Sequence, residues 1–240
     1  MQSTSYVSIS QQTVLNRTMD IIANNLANAS TTGYKEQQPL FKQFLTQGPS
    51  GQTVTYVQDA GTYRDQSQGD LTKTDNPLDF AIQGSGYFTV STPNGDRFTR
   101  NGRFQIGKDG SIQTAQGYQV NSTLGKPIVI PGNAGTVSVA NDGTVTDTQG
   151  NTLGRIAVVK FSQPTKLVSG ANGLYVTDEK PAADATSTIR QGMVEGSNVK
   201  SIVELTRLMS LQQSFTSAQD MVQGEDTRIR NAIDKLSQAA

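Results

Sequence analysis

"MDIIANNLANASTTGYK", residues Met19 to Lys35, begins with helical apolar spacing and then interrupts it with three asparagines, Asn24, Asn25 and Asn28. Asparagine in a helix interior costs up to about 0.7 kcal/mol relative to alanine, so three within five residues require a reason. Upstream the apolar spacing continues: Leu15, Met19, Ile22, Leu26 and Ala29 step by 4, 3, 4 and 3. Val7, Val14 and Ile21 form a second line one residue over, seven apart. That pattern predicts a helix over about residues 5–30 with a helical seam. Gly33 supplies a C-terminal stop, and Pro39 forbids much continuation.

The other end of the chain carries the same logic. Leu208, Phe215, Val222, Ile229 and Leu236 recur at steps of seven. Leu205 and Ile233 sit at the companion spacing, with Gln212, Gln219 and Asp226 on the same track between them. A strict seven-residue repeat predicts a supercoiled helix over about residues 198–237, packed on other helices. Either Asn198, or a capping box of Ser201 with Glu204, is expected to open it. Each terminal helix thus has an apolar stripe, and the chain offers it little obvious partner surface.

Between the helices lie short apolar or alternating runs such as "FAIQ", "YFTV", "RFTR", "PIVI", "TVSV" and "RIAVVKF". Asn94-Gly95, Asn101-Gly102, Asp109-Gly110, Asp142-Gly143 and Asn172-Gly173 punctuate them, pairs that accept the positive φ of tight hairpins. The expected fold class is mainly β with terminal α-helices: a central antiparallel β domain flanked by N- and C-terminal helices that form coiled-coil-like packing on assembly. The expected boundaries are 1–34 for the N-terminal helical segment, 35–79 for an extended polar connector, 80–190 for the β domain and 191–240 for the C-terminal helical segment.

Composition removes most chemistries. The 240 residues hold 20 basic and 20 acidic side chains and no histidine, cysteine or tryptophan. Disulfides and thiolate metal sites are therefore excluded, and the commonest general base is missing. With no block of like charge, neither a phosphate backbone nor an anionic membrane is an expected partner. No apolar run approaches the roughly 18 residues that span a bilayer. The first twenty residues lack a basic stretch followed by an apolar one, so no cleaved signal peptide is expected. "GSGY" at Gly84 to Tyr87 is followed by a strand rather than the helix a phosphate cradle needs, and reads as a turn. Asp75, Asp79, Asp96, Asp109 and Asp142 sit beside turn residues and read as turn formers. Tyr87, Phe88, Phe98 and Phe104 read as core rather than as a binding platform. No catalytic residue, cofactor or metal ligand is expected.

Four motifs in order resemble the bacterial flagellar rod and hook family: "ANNLANASTTGYK", "NPLDFAIQGSGYF", "FTRNGRFQIGKDGSIQTAQGYQV" and "VEGSNVKSIVELTRLM". "QDAGTYRDQSQGDLTKTDNPLDFAIQ" and the overall length resemble the proximal-rod branch, the distal-rod branch being similar but longer and the hook branch carrying larger insertions. The resemblance implies an axial structural subunit, not an enzyme. It implies export by the flagellar type III apparatus without a cleaved signal peptide, and polymerisation with itself and other rod subunits in the periplasm. The alternative within the family is a distal rod protein; the rival classes are an enzyme or carbohydrate-binding β domain with incidental helices, and a secreted adhesin or effector.

On that reading the assembly interface is expected to use Leu15, Met19, Ile22, Leu26, Leu205, Leu208, Phe215, Val222, Ile229 and Leu236, together with Asn24, Asn25 and Asn28. Burying each of the apolar side chains on the first helix contributes about 1.5–3 kcal/mol. The asparagines are expected to make inter-helix hydrogen bonds that fix register at a cost in stability. The competing reading is that they weaken the helix so that the terminus stays unfolded for export.

Overall fold

The computed structural model describes residues 2–47 and 53–238. The side chains of residues 2–9, 43–58, Glu225, Ile229, Ala232, Ile233, Leu236 and Gln238 lie outside the description, as do Gly48, Pro49 and Gly51 of the expected connector. The chain divides into two compact units. One comprises Met1–Ala27, Gln37–Arg64 and Lys200–Ala240; the other comprises Asn28–Glu36 and Asp65–Val199.

The first unit is built from α1 (Gln2–Ala27), β1 (Gln37–Gln47), β2 (Thr53–Arg64) and α2 (Ser201–Gln238). Within the expected connector, β1 and β2 pair as an antiparallel hairpin from Gln37↔Arg64 to Gln47↔Thr53. Polar content hid this hairpin, yet "PLFKQFLT" and "VTYV" are rich in the aromatic and β-branched residues that suit a pleated surface. Pro39 falls where the register shifts, a place that needs no ladder N–H.

Helix α1 stops at Ala27, so Asn24 and Asn25 lie in its last turn and Asn28 lies just past it. Two adjacent lines of α1, Val14/Thr18/Ile21/Asn25 and Leu15/Met19/Ile22/Leu26, are partly or fully buried. A stripe that wide serves two neighbours, because α1 packs on α2 and also on the hairpin. The chain therefore offers these stripes more partner surface than expected, because the hairpin joins the second helix in covering α1. One partner, α2, comes from the opposite end of the sequence; the other, the β1–β2 hairpin, follows α1 closely and falls in the expected connector.

On α2 the less exposed positions are Glu204, Leu208, Leu211, Phe215, Ala218 and Val222, which step by 4, 3, 4, 3 and 4. The line through Leu208, Phe215 and Val222 is the one the heptad predicts. Its companion is Glu204/Leu211/Ala218, one residue before the track expected through Leu205, which is 41% exposed. A glutamate at a seam position misled the reading, since hydrophobicity alone favours its leucine neighbour. Asn198 does not cap α2; its side chain instead accepts from Glu36 N at 2.7 Å and donates to Asp65 O at 3.1 Å.

The second unit is built from β strands with two single-turn 3-10 helices, Pro164–Lys166 and Ala171–Gly173. Its strands are β3 (Leu71–Lys73), β4 (Phe80–Gln83), β5 (Tyr87–Thr92), β6 (Gly95–Thr99), β7 (Phe104–Ile106), β8 (Ile112–Thr114), β9 (Gln119–Val120), β10 (Ser138–Val139) and β11 (Thr144–Thr146). They continue with β12 (Thr152–Arg155), β13 (Val158–Lys160), β14 (Val168–Ser169), β15 (Leu174–Val176), β16 (Ala182–Ala183), β17 (Thr188–Gln191) and β18 (Met193–Glu195). The main sheet runs β14-β15-β6-β5-β9-β8-β7, with β13 bridging β5 to β16. Strands β10-β11-β12, β17-β4 and β18-β3 form smaller antiparallel ladders.

Strand β5 is buried on both faces, and its two-residue alternation sorts the aromatics. Phe88 and Val90 join Phe80, Phe104 and Ile112 in one cluster, while Tyr87 joins Phe98, Phe161 and Tyr175 in a second. The aromatics are core, as their spacing predicts. The turn aspartates also behave as expected: Asp109 Oδ1 accepts from Ser111 N, and Asp142 Oδ1 accepts from Thr144 N.

Asp184 does the same between β16 and β17. Burial raises its pKa, but hydrogen bonds from Ser187 and Thr186 outweigh that and pull it down to about 2. A depressed carboxylate stabilises the fold above its unfolded pKa and loses that contribution as pH falls toward the folded value. Asp184→Asn is expected to cost about 2 kcal/mol at pH 7, a gap that closes between about pH 4 and pH 2. Urea unfolding of both chains across that range measures it.

Candidate assembly interface

The first unit is held at one buried polar point. Asn25, 1% exposed, pairs with the start of β1: its Oδ1 accepts from Gln37 N at 2.9 Å and its Nδ2 donates to Gln37 O at 2.8 Å. The same Nδ2 donates to Glu204 Oε2 at 3.1 Å across a sequence separation of 179 residues. Glu204, 2% exposed, accepts on its other oxygen from Arg207 NH1 at 2.7 Å. One asparagine therefore ties α1, β1 and α2 together and satisfies both backbone groups of Gln37. Such bonds are directional, and a slip of either helix breaks them, which is how a buried polar residue sets register. Arg17 Nε adds an exposed contact to Asp59 at 3.1 Å, worth little by itself.

The three asparagines thus differ. Asn25 is the buried one; Asn24 is exposed on α1; Asn28 is half-buried beyond the helix end, where its Oδ1 accepts from Thr31 Oγ1 at 3.2 Å. Ile22 is buried, and Leu15, Met19 and Leu26 are half-buried. Leu208, Phe215 and Val222 are half-buried, Leu205 is exposed, and the side chains of Ile229 and Leu236 lie outside the described residues. On its exposed surface α2 carries a second apolar line, with Ile202 81%, Leu205 41% and Met209 66% exposed at steps of 3 and 4; of these only Leu205 belongs to the interface expected from sequence.

The second unit has its own buried polar centre. Glu195 Oε1 accepts from Lys35 Nζ at 2.6 Å and from Gly69 N at 3.2 Å, while Oε2 accepts from Arg100 NH1 at 3.2 Å. Lys35 also donates to Ser67 O at 2.7 Å, and Arg100 to Gly84 O at 2.6 Å. Lys35 is 1%, Arg100 2% and Glu195 0% exposed. Burial outweighs the pairing with Glu195 and holds the Lys35 pKa below the ordinary lysine value. The Arg100 guanidinium lies 5.2 Å from the centre of the Tyr87 ring. Lys35 and Glu195 each stand in a motif quoted above; their opposite charge was the one available signal, and it was not read.

Among the described residues no cluster of acidic side chains could hold a metal ion, and no helix is long and apolar enough to cross a membrane. The elements coincide with known domains. Residues 6–35 match the Flagella basal body rod protein family, 81–147 the Flagellar hook protein FlgE/F/G D1 domain, and 190–235 the Flagellar basal body rod FlgEFG protein C-terminal family. The flagellar basal-body rod protein FlgF of Caulobacter vibrioides is 35% identical over 98% of each chain. The chain belongs to the flagellar basal-body rod protein family. FlgF of Mesorhizobium japonicum is 32% identical over 98% of each chain, and the rod protein FlgG of Buchnera aphidicola from Acyrthosiphon pisum is 31% identical over 92% of this chain and 93% of its own. This rod protein is a structural subunit of the flagellar basal body, and its family is structural rather than catalytic.

Proposed function

We propose that this rod subunit occupies the proximal segment of the rod and polymerises there with copies of itself and with other rod subunits, passing torque along the periplasmic drive-shaft. The observation that carries the proximal assignment is the end-to-end match to relatives named FlgF, over 98% of both chains. The joint between subunits uses the helical unit: the α1–α2 seam is fixed internally by Asn25 and Glu204, and the exposed line Ile202, Leu205 and Met209 docks on a neighbouring subunit. Packing across that joint is coiled-coil-like. Export proceeds through the flagellar type III apparatus without a cleaved signal peptide. A chain with no cysteine needs no oxidation step after export.

The test is fractionation of basal bodies from the source bacterium, with mass spectrometry of their components. The chain is expected in basal bodies arrested before hook assembly, and still present in those arrested by loss of the distal rod protein. Its absence from the second preparation would sink the proximal assignment. Its presence only in the culture medium would sink the structural reading and favour an adhesin.

A further inference from the structure

The Lys35–Glu195–Arg100 cluster does not balance in charge, since two buried cations share one carboxylate. The surplus is absorbed by backbone carbonyls: Ser67 O faces Lys35, and Gly84 O and Ile82 O face Arg100. Arg100 Nε finds no acceptor among the described residues. The cluster is also assembled from distant parts of the chain, with Lys35 160 and Arg100 95 residues from Glu195.

Consider the β unit before Glu195 is in place. Arg100 follows β6 directly, and its side chain lies against the carbonyls at the end of β4 and the Tyr87 ring of β5. Closing these strands buries a guanidinium without a counter-ion. Bringing in residues 28–36 buries a second cation at the same place. An unpaired buried charge is among the costliest defects a fold can carry. Glu195 ends β18, the last strand, whose backbone also receives Gly33 N at 2.8 Å and pairs with β3.

We infer that this cluster is a folding gate, so that the β unit closes only when Glu195 arrives between Lys35 and Arg100. The chain then stays open until residues next to α2 are free. For an exported rod subunit, a significance that rests on the reading above, the gate keeps the polypeptide threadable until nearly all of it is available. It does so with charges alone, in a chain that has no cysteine for a covalent closure.

Refolding of the full chain from urea, followed by stopped-flow tyrosine fluorescence, tests the gate directly. Glu195→Gln is expected to slow refolding on the order of a hundredfold and to leave unfolding nearly unchanged, because the contact is made in the transition state. Accelerated unfolding with unchanged refolding would overturn the inference, since the cluster would then form late. If Glu195→Gln does not fold, the triple variant Lys35→Met/Arg100→Met/Glu195→Met decides. With no charge to wait for, it is expected to refold within about tenfold of the parent rate. A triple variant that refolds as slowly as Glu195→Gln, or not at all, overturns the gate. Neither result touches the rod assignment, which stands or falls on basal-body fractionation.

Discussion

Replacing Gly33 by alanine is expected to destabilise the β unit by about 4 kcal/mol, the sum of a strained backbone and an overpacked contact. Gly33 has φ +70, and a Cβ there would stand 2.6 Å from Arg100 C, 2.7 Å from Asn101 N and 2.8 Å from Arg100 O. All three are backbone atoms, so no side chain can swing away to relieve the clash. The conformational part alone costs about 1–2 kcal/mol, and overpacking against a fixed chain adds about 1–3 kcal/mol or more. Any shift of residue 33 also disturbs its hydrogen bond to Glu195 O, and disturbs Lys35 two residues on. Gly125 is the control, with φ +72 and nothing within 4 Å of its Cβ position. Gly125→Ala should cost only the conformational part, about 1–2 kcal/mol. Urea unfolding of the two variants separates the terms, and equal losses would show that the close approach to Arg100 carries no weight.

The second large effect lies at Asn25. Asn25→Leu improves helix propensity and adds apolar volume to the seam, yet it is expected to destabilise the helical unit by about 3–5 kcal/mol. Leucine leaves Gln37 N–H and C=O without the bonds they now make to the side chain, and removes one partner from the buried Glu204. Each orphaned buried group costs about 1–3 kcal/mol. Asn24→Leu, at an exposed site one residue away, should change stability by less than about 1 kcal/mol. Far-ultraviolet circular dichroism during thermal unfolding reads both variants. If the two behaved alike, Asn25 would have no special place in the register.

That contrast shows what the sequence could and could not convey. Helix and strand periods, and turn pairs such as Asn94-Gly95, are local signals, and they placed both terminal helices and the β region between them. The β1–β2 hairpin escaped because the sequence around and between its two strands is polar and rich in glycine, so its composition suggests a connector despite the strand formers it contains. Glu204 escaped for a different reason: a carboxylate at a seam position makes sense only beside Asn25, 179 residues away. The Lys35–Glu195–Arg100 cluster is non-local in the same way. Among the asparagines, helical phase held a usable hint, since Asn25 continues the line of Val14, Thr18 and Ile21 whereas Asn24 falls outside it. The asparagine that matters most is therefore identified by position, not by residue type.

The helices also begin from a different state than their repeats suggest. They are paired with each other and with the hairpin in the single chain, so on the proposal made above assembly would add contacts on the exposed face of α2 rather than create the seam. Hydrogen exchange on the purified, unassembled subunit tests this most directly. Residues 13–27 of α1, the start of β1 and residues 201–222 of α2 should be protected together and open as one cooperative unit, with protection lost from all three in Asn25→Leu. Fast, unprotected exchange through both helices in the free subunit would contradict a preformed module and mean that the seam is built only when subunits assemble.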